Sequence, residues 1–401
     1  VFGIDNQPIS TTQMRRVGIV FIVLALVGLI QLGPGLVSGA FSEERQLLWS
    51  CRAGSWANYV SISADGNYAA VGSWQERKVY LFSRLDNTPL WSYTADDLVS
   101  GVSVSANGNY TVASSDDGKI YLFDLAGQLR WSYQTSSWAN YVSISADGNY
   151  VSTGDYNNKV YLFNRLDNAP IWSYTAGGNI YLVSISADGN YVVAGGADNK
   201  IYLFGRSDNI PLWSYTAGGA IGAIVSADGN YVVASALDNK IYLFGRSDNI
   251  PLWSYQTEGS FGVSISADGS YIAAAGEDNK VYLFSRSSST PLWSYQTEGS
   301  FGVSISADGS YIAAGSNNNK VYLFSRSSST PLWSYTTGGQ IFSVSISSDG
   351  SYIAAGCFDG KVYFFGPASE GEGATQWLII AGVIVAIALV GFVFYLKRAR
   401  K

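Results

Sequence analysis

One unit of about forty residues recurs along most of this chain, and repetition at that period constrains the architecture before any local assignment is made. Its clearest copy spans residues 262–297. Val263-Ser264-Ile265-Ser266 alternates large branched with small residues, the pattern of a strand. Asp268-Gly269 supplies a hairpin turn, because glycine tolerates the positive φ such turns need. Residues 271–275 read as a second strand, residues 277–279 as a second turn, and residues 280–284 as a third strand with large side chains on both faces. After a polar loop at 286–290, a fourth strand begins at Pro291, where a missing backbone donor is tolerated. Four antiparallel strands that are apolar on both faces need a sheet packed on each side. A ring of such sheets provides that, and four strands per ~40–45 residues is the period of a β-propeller blade.

The repeat count gives eight blades. The fourth-strand tryptophan falls at Trp49, Trp91, Trp131, Trp172, Trp213, Trp253, Trp293 and Trp333. The third-strand tyrosine and the first hairpin turn recur in step, from Tyr80 to Tyr363 and from Asp65 to Asp349. The phase matters as much as the count. The array opens on a fourth strand at 46–52 and closes on a third strand at 361–365. Pairing those two completes the last blade and leaves no open edge. The expected fold is therefore all-β, an eight-bladed propeller over residues 46–366, flanked by N- and C-terminal transmembrane helices.

The wording resembles two propeller families. Leu-Trp-Ser-Tyr followed by Gly-Gly, together with Asp359-Gly360-Lys361-Val362-Tyr363, resembles the PQQ-like repeat of quinoprotein dehydrogenases and outer-membrane assembly lipoproteins. Residues 304–315, reading Ser-Ile-Ser-Ala-Asp-Gly-Ser-Tyr-Ile-Ala-Ala-Gly, are similar to WD-repeat propellers, although the Trp-Asp and Gly-His pairs of that family are missing. The resemblance covers roughly residues 46–366 and implies the fold. It implies little about function, because these scaffolds carry many unrelated roles.

Composition excludes several chemistries. The chain has no histidine, which removes the usual general base, the commonest transition-metal ligand and any Ser-His or Cys-His nucleophile. Residues 41–366 hold 18 Lys/Arg against 27 Asp/Glu, a net of −9, the wrong sign for a nucleic-acid surface. No catalytic, metal or cofactor site is expected. The two cysteines, Cys51 and Cys357, both fall in the closing blade and form a candidate disulfide. Against it, a register that sets Cys51 opposite Lys361 and Cys357 opposite Val362 places the third strand between them. That leaves ~9–10 Å, too far without a bulge.

Both flanks are apolar. Residues 1–16 are polar and end in Arg15-Arg16; residues 17–40 are mostly apolar and read as a transmembrane helix, with a cleaved signal peptide as the alternative. Residues 367–376 form a Gly/Glu-rich linker, residues 377–396 an uncharged span bordered by Trp377 and Tyr395, and residues 397–401 a basic tail. The positive-inside rule puts both termini in the cytoplasm and the propeller on the extracytoplasmic side of the cell membrane. Asn109-Tyr110-Thr111 is a glycosylation sequon in the first hairpin of the second blade.

Strand order separates the two faces of the disc. First-hairpin turns and third-to-fourth loops share one face, here called the turn face, and both chain ends leave from it. Second-hairpin turns and inter-blade crossovers share the other, the crossover face. On the crossover face the copies stop being identical. Trp56, Trp74 and Trp138 lie there outside the repeated tryptophan position, with Tyr156 and Phe358 in its hairpins. Aromatic side chains on loops of a rigid scaffold suit a contact surface; packing along the funnel wall is the plain alternative. Trp56 and Trp138 also share a repeated Ser-Trp-Ala-Asn-Tyr, which favours a common structural role. Acidic side chains share this face (Asp96, Asp97, Asp116, Asp117, Asp155, Glu258, Glu277, Asp278, Glu298 and Asp359), and without calcium-loop spacing they read as solvated turns.

The expected function is a membrane-anchored interaction scaffold, or accessory subunit of a membrane or envelope complex, that binds other membrane or envelope proteins through the crossover face and carries no enzyme activity. A ligand sensor using the central channel is the alternative. A quinoprotein-like oxidoreductase has only the resemblance in its favour, since an adjacent cysteine pair and the family's ligand residues are missing.

Overall fold

A computed structural model describes residues 45–54, 56–259 and 262–368, and these form eight four-stranded antiparallel sheets. The first blade runs Ala57–Ile62, Tyr68–Ser73, Lys78–Ser83 and Pro89–Thr94, from the inner strand outward, and the next six repeat that order. The two middle strands of each blade are buried almost throughout, as expected for sheets sandwiched between neighbours. Phe82, Phe123, Phe163, Phe204, Phe244, Phe284, Phe324 and Phe365, at the same third-strand position in each blade, are all fully buried. Small residues on the second strand (Ala69, Ala70, Val71) make room for those rings.

The ring closes as the phase requires. Ile341–Ile346, Ile353–Cys357 and Lys361–Pro367 are completed by Arg45–Arg52, antiparallel to the last of them. A register shift between Leu47 and Trp49 moves the pairing by one residue from the expected frame, so Cys51 faces Val362. On the other side of the same strand Val362 faces Gly356, the neighbour of Cys357. Both cysteines are free. More than distance separates the candidate pair: Cys51 packs in the cluster shared with the first blade and Cys357 in the cluster shared with the seventh. Successive side chains on a strand point to opposite faces, so the two thiols lie on opposite sides of the closing sheet. Burial pushes the Cys357 thiol up to about 12, which keeps it protonated and unreactive.

Neighbouring blades are stitched by repeated polar contacts. Seven of the eight fourth-strand indoles donate to the next blade's main chain, as Trp172 does to the Arg206 carbonyl (3.0 Å) and Trp253 to the Arg286 carbonyl (2.9 Å). The same arginines lie over the second-strand tyrosine of the preceding blade, Arg206 over Tyr150 at 4.6 Å and Arg286 over Tyr231 at 4.5 Å. The hairpin glycine completes the joint: Gly148 has φ +74°, and a Cβ there would stand 2.6 Å from the Tyr110 ring.

The first-hairpin aspartates are a stability device. Asp147 accepts from the Ser145 hydroxyl (2.6 Å), the Asn149 amide nitrogen (2.9 Å) and the Asn149 side chain (2.6 Å). Burial alone would raise its pKa, but these hydrogen bonds outweigh it and hold the carboxyl below its ordinary value. The same balance holds for Asp65, Asp188, Asp228, Asp268, Asp308 and Asp349. A carboxyl depressed in the folded state stabilises above its unfolded pKa of about 4, and that contribution is lost as pH falls through the folded value. Unfolding is therefore expected to steepen below about pH 4. Replacing Asp147 and Asp188 with Asn, the residue the second blade already carries at Asn107, is expected to flatten that slope in denaturant titrations run at several pH values. An unchanged slope would count against the hairpins as its source.

Among the described residues no helix is long and apolar enough to cross a membrane. The segments read as spans at 17–40 and 377–396, with their basic flanks, lie outside the described residues.

Candidate functional site

The crossover face is built from eight equivalent pairs. In each blade a residue of the incoming crossover pairs through its main chain with a residue of the second hairpin. In the first blade the Trp74 amide donates to the Trp56 carbonyl (3.2 Å), and in the third the Tyr156 amide donates to the Trp138 carbonyl (3.0 Å). The equivalent pairs are Asp116 with Leu98 in the second blade and Phe358 with Gln340 in the eighth. Blades four to seven place Ala197, Leu237, Glu277 and Asn317 at the hairpin position. The aromatic exceptions therefore occupy one sector, blades eight, one and three, and Asp116 holds the matching position between them in blade two.

All five aromatic candidates line one cavity of about 360 Å³. Trp56 stacks on Trp74 (centroids 5.3 Å apart, planes 20°) and meets Phe358 edge-on at 5.7 Å. Trp138 meets Tyr156 edge-on at 5.7 Å. Of the three tryptophans Trp138 is the most open, 57 % exposed, while Trp56 and Trp74 are half-buried. The rings pack on one another around the cavity.

The sequence reading missed the floor of this cavity. Tyr59 and Phe342 lie beneath the rim, Tyr59 edge-on to Phe342 at 5.7 Å and to Tyr141 at 5.7 Å. Each comes from the start of an inner strand where the register shifts, between Ala57 and Tyr59 in the first blade and between Ile341 and Ser343 in the eighth. Such a bulge re-aims side chains toward the channel. Gly101 is the residue at the equivalent point of the second blade; a Cβ there would stand 2.8 Å from the Ser114 hydroxyl oxygen. The repeated Ser-Trp-Ala-Asn-Tyr is explained by the contact of Tyr59 with Tyr141, since it is the tyrosines and the buried Ala57 and Ala139 that play equivalent parts. Below the floor the channel continues as a second cavity of about 290 Å³, with Gly222, Gly262 and Gly302 in its wall.

One lining residue carries charge. Asp116 is bonded through one carboxylate oxygen to the Ser100 hydroxyl. Burial pushes its carboxyl up, the Ser100 hydrogen bond pulls it down, and Asp97 and Asp117 push it up again, leaving it raised overall. The phenols of Tyr59 and Tyr156 are raised as well, chiefly by burial, and stay neutral.

The remaining acidic residues separate into two sets. Asp117, Asp155, Asp278 and Asp359 are not simply solvated turns. Each accepts from its blade's third-strand tyrosine, as Asp155 does from Tyr161 (3.0 Å) and Asp359 from Tyr363 (2.6 Å). They also cap the hairpin amides, as Asp117 caps Lys119 (2.6 Å). Asp96 holds Lys119 in an ion pair at 2.6 Å. No group of three or more potential metal ligands occurs among the described residues. Asn109 lies exposed in its turn, and Thr111 of the sequon is buried in the following strand.

Eight four-stranded blades around a channel with one differentiated mouth define a closed β-propeller. By sequence the chain belongs to the PQQ-like propeller family whose model is described as outer membrane protein assembly factor BamB, matched over residues 35–187 and 181–300. A second model, the WD domain or G-beta repeat, matches residues 290–325 and 329–365. No curated protein matches. Among solved structures, BamB from Moraxella catarrhalis is similar at 18% identity and TM-score 0.65, over 80% of this chain and 100% of that one. Sqt1 from Chaetomium thermophilum, solved bound to the N-terminus of the ribosomal protein L10, is similar at 16% identity and TM-score 0.70, over 80% and 100%. At these identities the likeness shows the fold.

Proposed function

We propose that this protein is an interaction scaffold that holds a protein partner at the aromatic mouth of its crossover face, without catalysis of its own. The observation that carries the reading is the gathering of Trp56, Trp74, Trp138, Tyr156 and Phe358 around one cavity in an otherwise regular ring. Rigid aromatic anchors around a pocket are the usual centre of a binding surface. The family description and the peptide-bound Sqt1 structure agree with a protein-binding role.

The finer reading is an anchored propeller on the extracytoplasmic side of a membrane, serving other membrane or envelope proteins. Its support lies on the turn face. Arg45 pairs with Pro367 there, so the first and last strands of the ring end side by side. The third-to-fourth loops of the same face expose Leu85, Leu166, Ile210 and Ile250, each 70–83 % accessible. Aliphatic loop tips beside the ends of those two strands suit a face turned to lipid, with the aromatic mouth turned away.

Detergent extraction of the full chain followed by gentle co-purification tests the scaffold. A stoichiometric protein partner is expected. A clean monomer from native membranes would sink the proposal.

A further inference from the structure

We propose that the aromatic mouth receives the cationic end of a lysine side chain from the protein partner, with Asp116 as its counter-charge. This deepens the scaffold reading and rests on it.

The cavity combines two features that neither a neutral nor an anionic guest would satisfy. Its walls are indole and phenol rings, among them Trp74, Trp138 and Tyr156, whose faces attract a cation through the ring quadrupole. Its one charged group is Asp116, seated at the position where the flanking blades carry Trp74 and Tyr156. Only one Asp116 oxygen has a hydrogen-bond partner among the described residues, the Ser100 hydroxyl. The groups that face Asp116 add no positive charge: Asp97 and Asp117 are acidic, and Tyr59 and Tyr156 are neutral. Lys119, on the next strand of the same blade, is held at 2.6 Å by Asp96. A carboxylate set among aromatic rings costs free energy unless something pairs with it. An apolar guest would bury it unpaired, and an anion would repel it. An ammonium on an unbranched stem satisfies the carboxylate and the rings together, and the stem covers the apolar wall. A cavity of about 360 Å³ accommodates such a side chain with part of its backbone.

Calorimetry on the full chain in detergent tests this with blocked amino acids as probes: N-acetyl-lysine methylamide, its trimethyl form, and the neutral norleucine analogue of the same stem. Both cationic probes are expected to bind at millimolar concentration, and norleucine about tenfold more weakly. Asp116→Asn is expected to remove most of that preference, and Trp138→Ala to weaken both cationic probes by about tenfold. Equal binding of norleucine, silence of both cationic probes, or an unchanged preference in Asp116→Asn would each overturn the inference. Binding of phosphocholine vesicles with silent lysine probes would overturn it too, in favour of a lipid headgroup. The two readings fail separately. A co-purifying partner that Asp116→Asn still retains, with lysine probes silent, defeats the lysine assignment and leaves the scaffold. Lysine binding without any protein partner does the reverse.

Discussion

Trp49→Ala is expected to lower the unfolding free energy by about 3–5 kcal/mol, the range for emptying a buried aromatic site. Trp49 is 7 % exposed, stacks on Phe364 of its own blade (5.1 Å, 9°) and packs against Phe82 of the first blade (5.2 Å, 35°). Its indole also donates to the Arg84 carbonyl at 3.1 Å. What sets it apart is connectivity. In every other blade the fourth strand is tied by a short loop to the third, so a weakened contact costs little chain entropy. Arg45–Arg52 has no such tie; most of the chain separates it from its partner strand. Removing the ring frees a whole strand and exposes the edge of Lys361–Pro367. Trp172→Ala, at the equivalent and equally buried site (7 % exposed) of an internally tied blade, is expected to cost less. Urea titration of both variants checks the ranking, and amide exchange should show Arg45–Arg52 opening ahead of the rest in Trp49→Ala. Equal costs would mean that closure adds nothing to the ring.

The repeat made the fold legible in fine detail. Blade count, strand order and the borrowed closing strand all follow from where one tryptophan, one tyrosine and one turn recur. The Cys51 register was misread because the strand was counted without its bulge at Leu47 and Trp49, the counterpart of one that recurs in most blades, as at Leu162 and Phe163 in the third. The floor of the site was hidden for a related reason. Tyr59 and Phe342 face the channel only because inner strands shift register at their start, and a period-two reading assigns them no special direction. Asp116 was in view but grouped with the other acids. A comparison of hairpin positions separates it. Asp117 has counterparts in most blades that bond a tyrosine, such as Asp198, Asp238 and Asp278, whereas Asp116 stands where its neighbours have Trp74 and Tyr156.

The same contrast explains how a repetitive sequence can hold a particular site. Blades four to seven carry no ring at the hairpin position of the mouth, having Ala197, Leu237, Glu277 and Asn317 there, and leave that side more open. Blades eight, one and three close the other side with rings. An approaching chain therefore meets a wall on one flank and free space on the opposite one, an arrangement that orients a guest without enclosing it.

The triple variant Trp56→Ala, Trp74→Ala, Trp138→Ala is expected to weaken partner retention by more than about a hundredfold while leaving the fold intact. Central aromatic anchors carry about 2 kcal/mol or more each in a binding surface, and coupling within one pocket makes their sum an upper bound. Their contribution to folding is much smaller. Trp138 is 57 % exposed, and Trp56 and Trp74 rest chiefly on each other at a loop-borne mouth rather than between two sheets. Trp49 and Trp138 thus give opposite results from the same substitution: one loses stability and keeps the binding face, the other keeps stability and loses the partner. Co-purification and urea titration on the same preparations read both quantities. A triple variant that holds its partner at full occupancy, with an unchanged unfolding midpoint, would place the contact surface elsewhere on the ring.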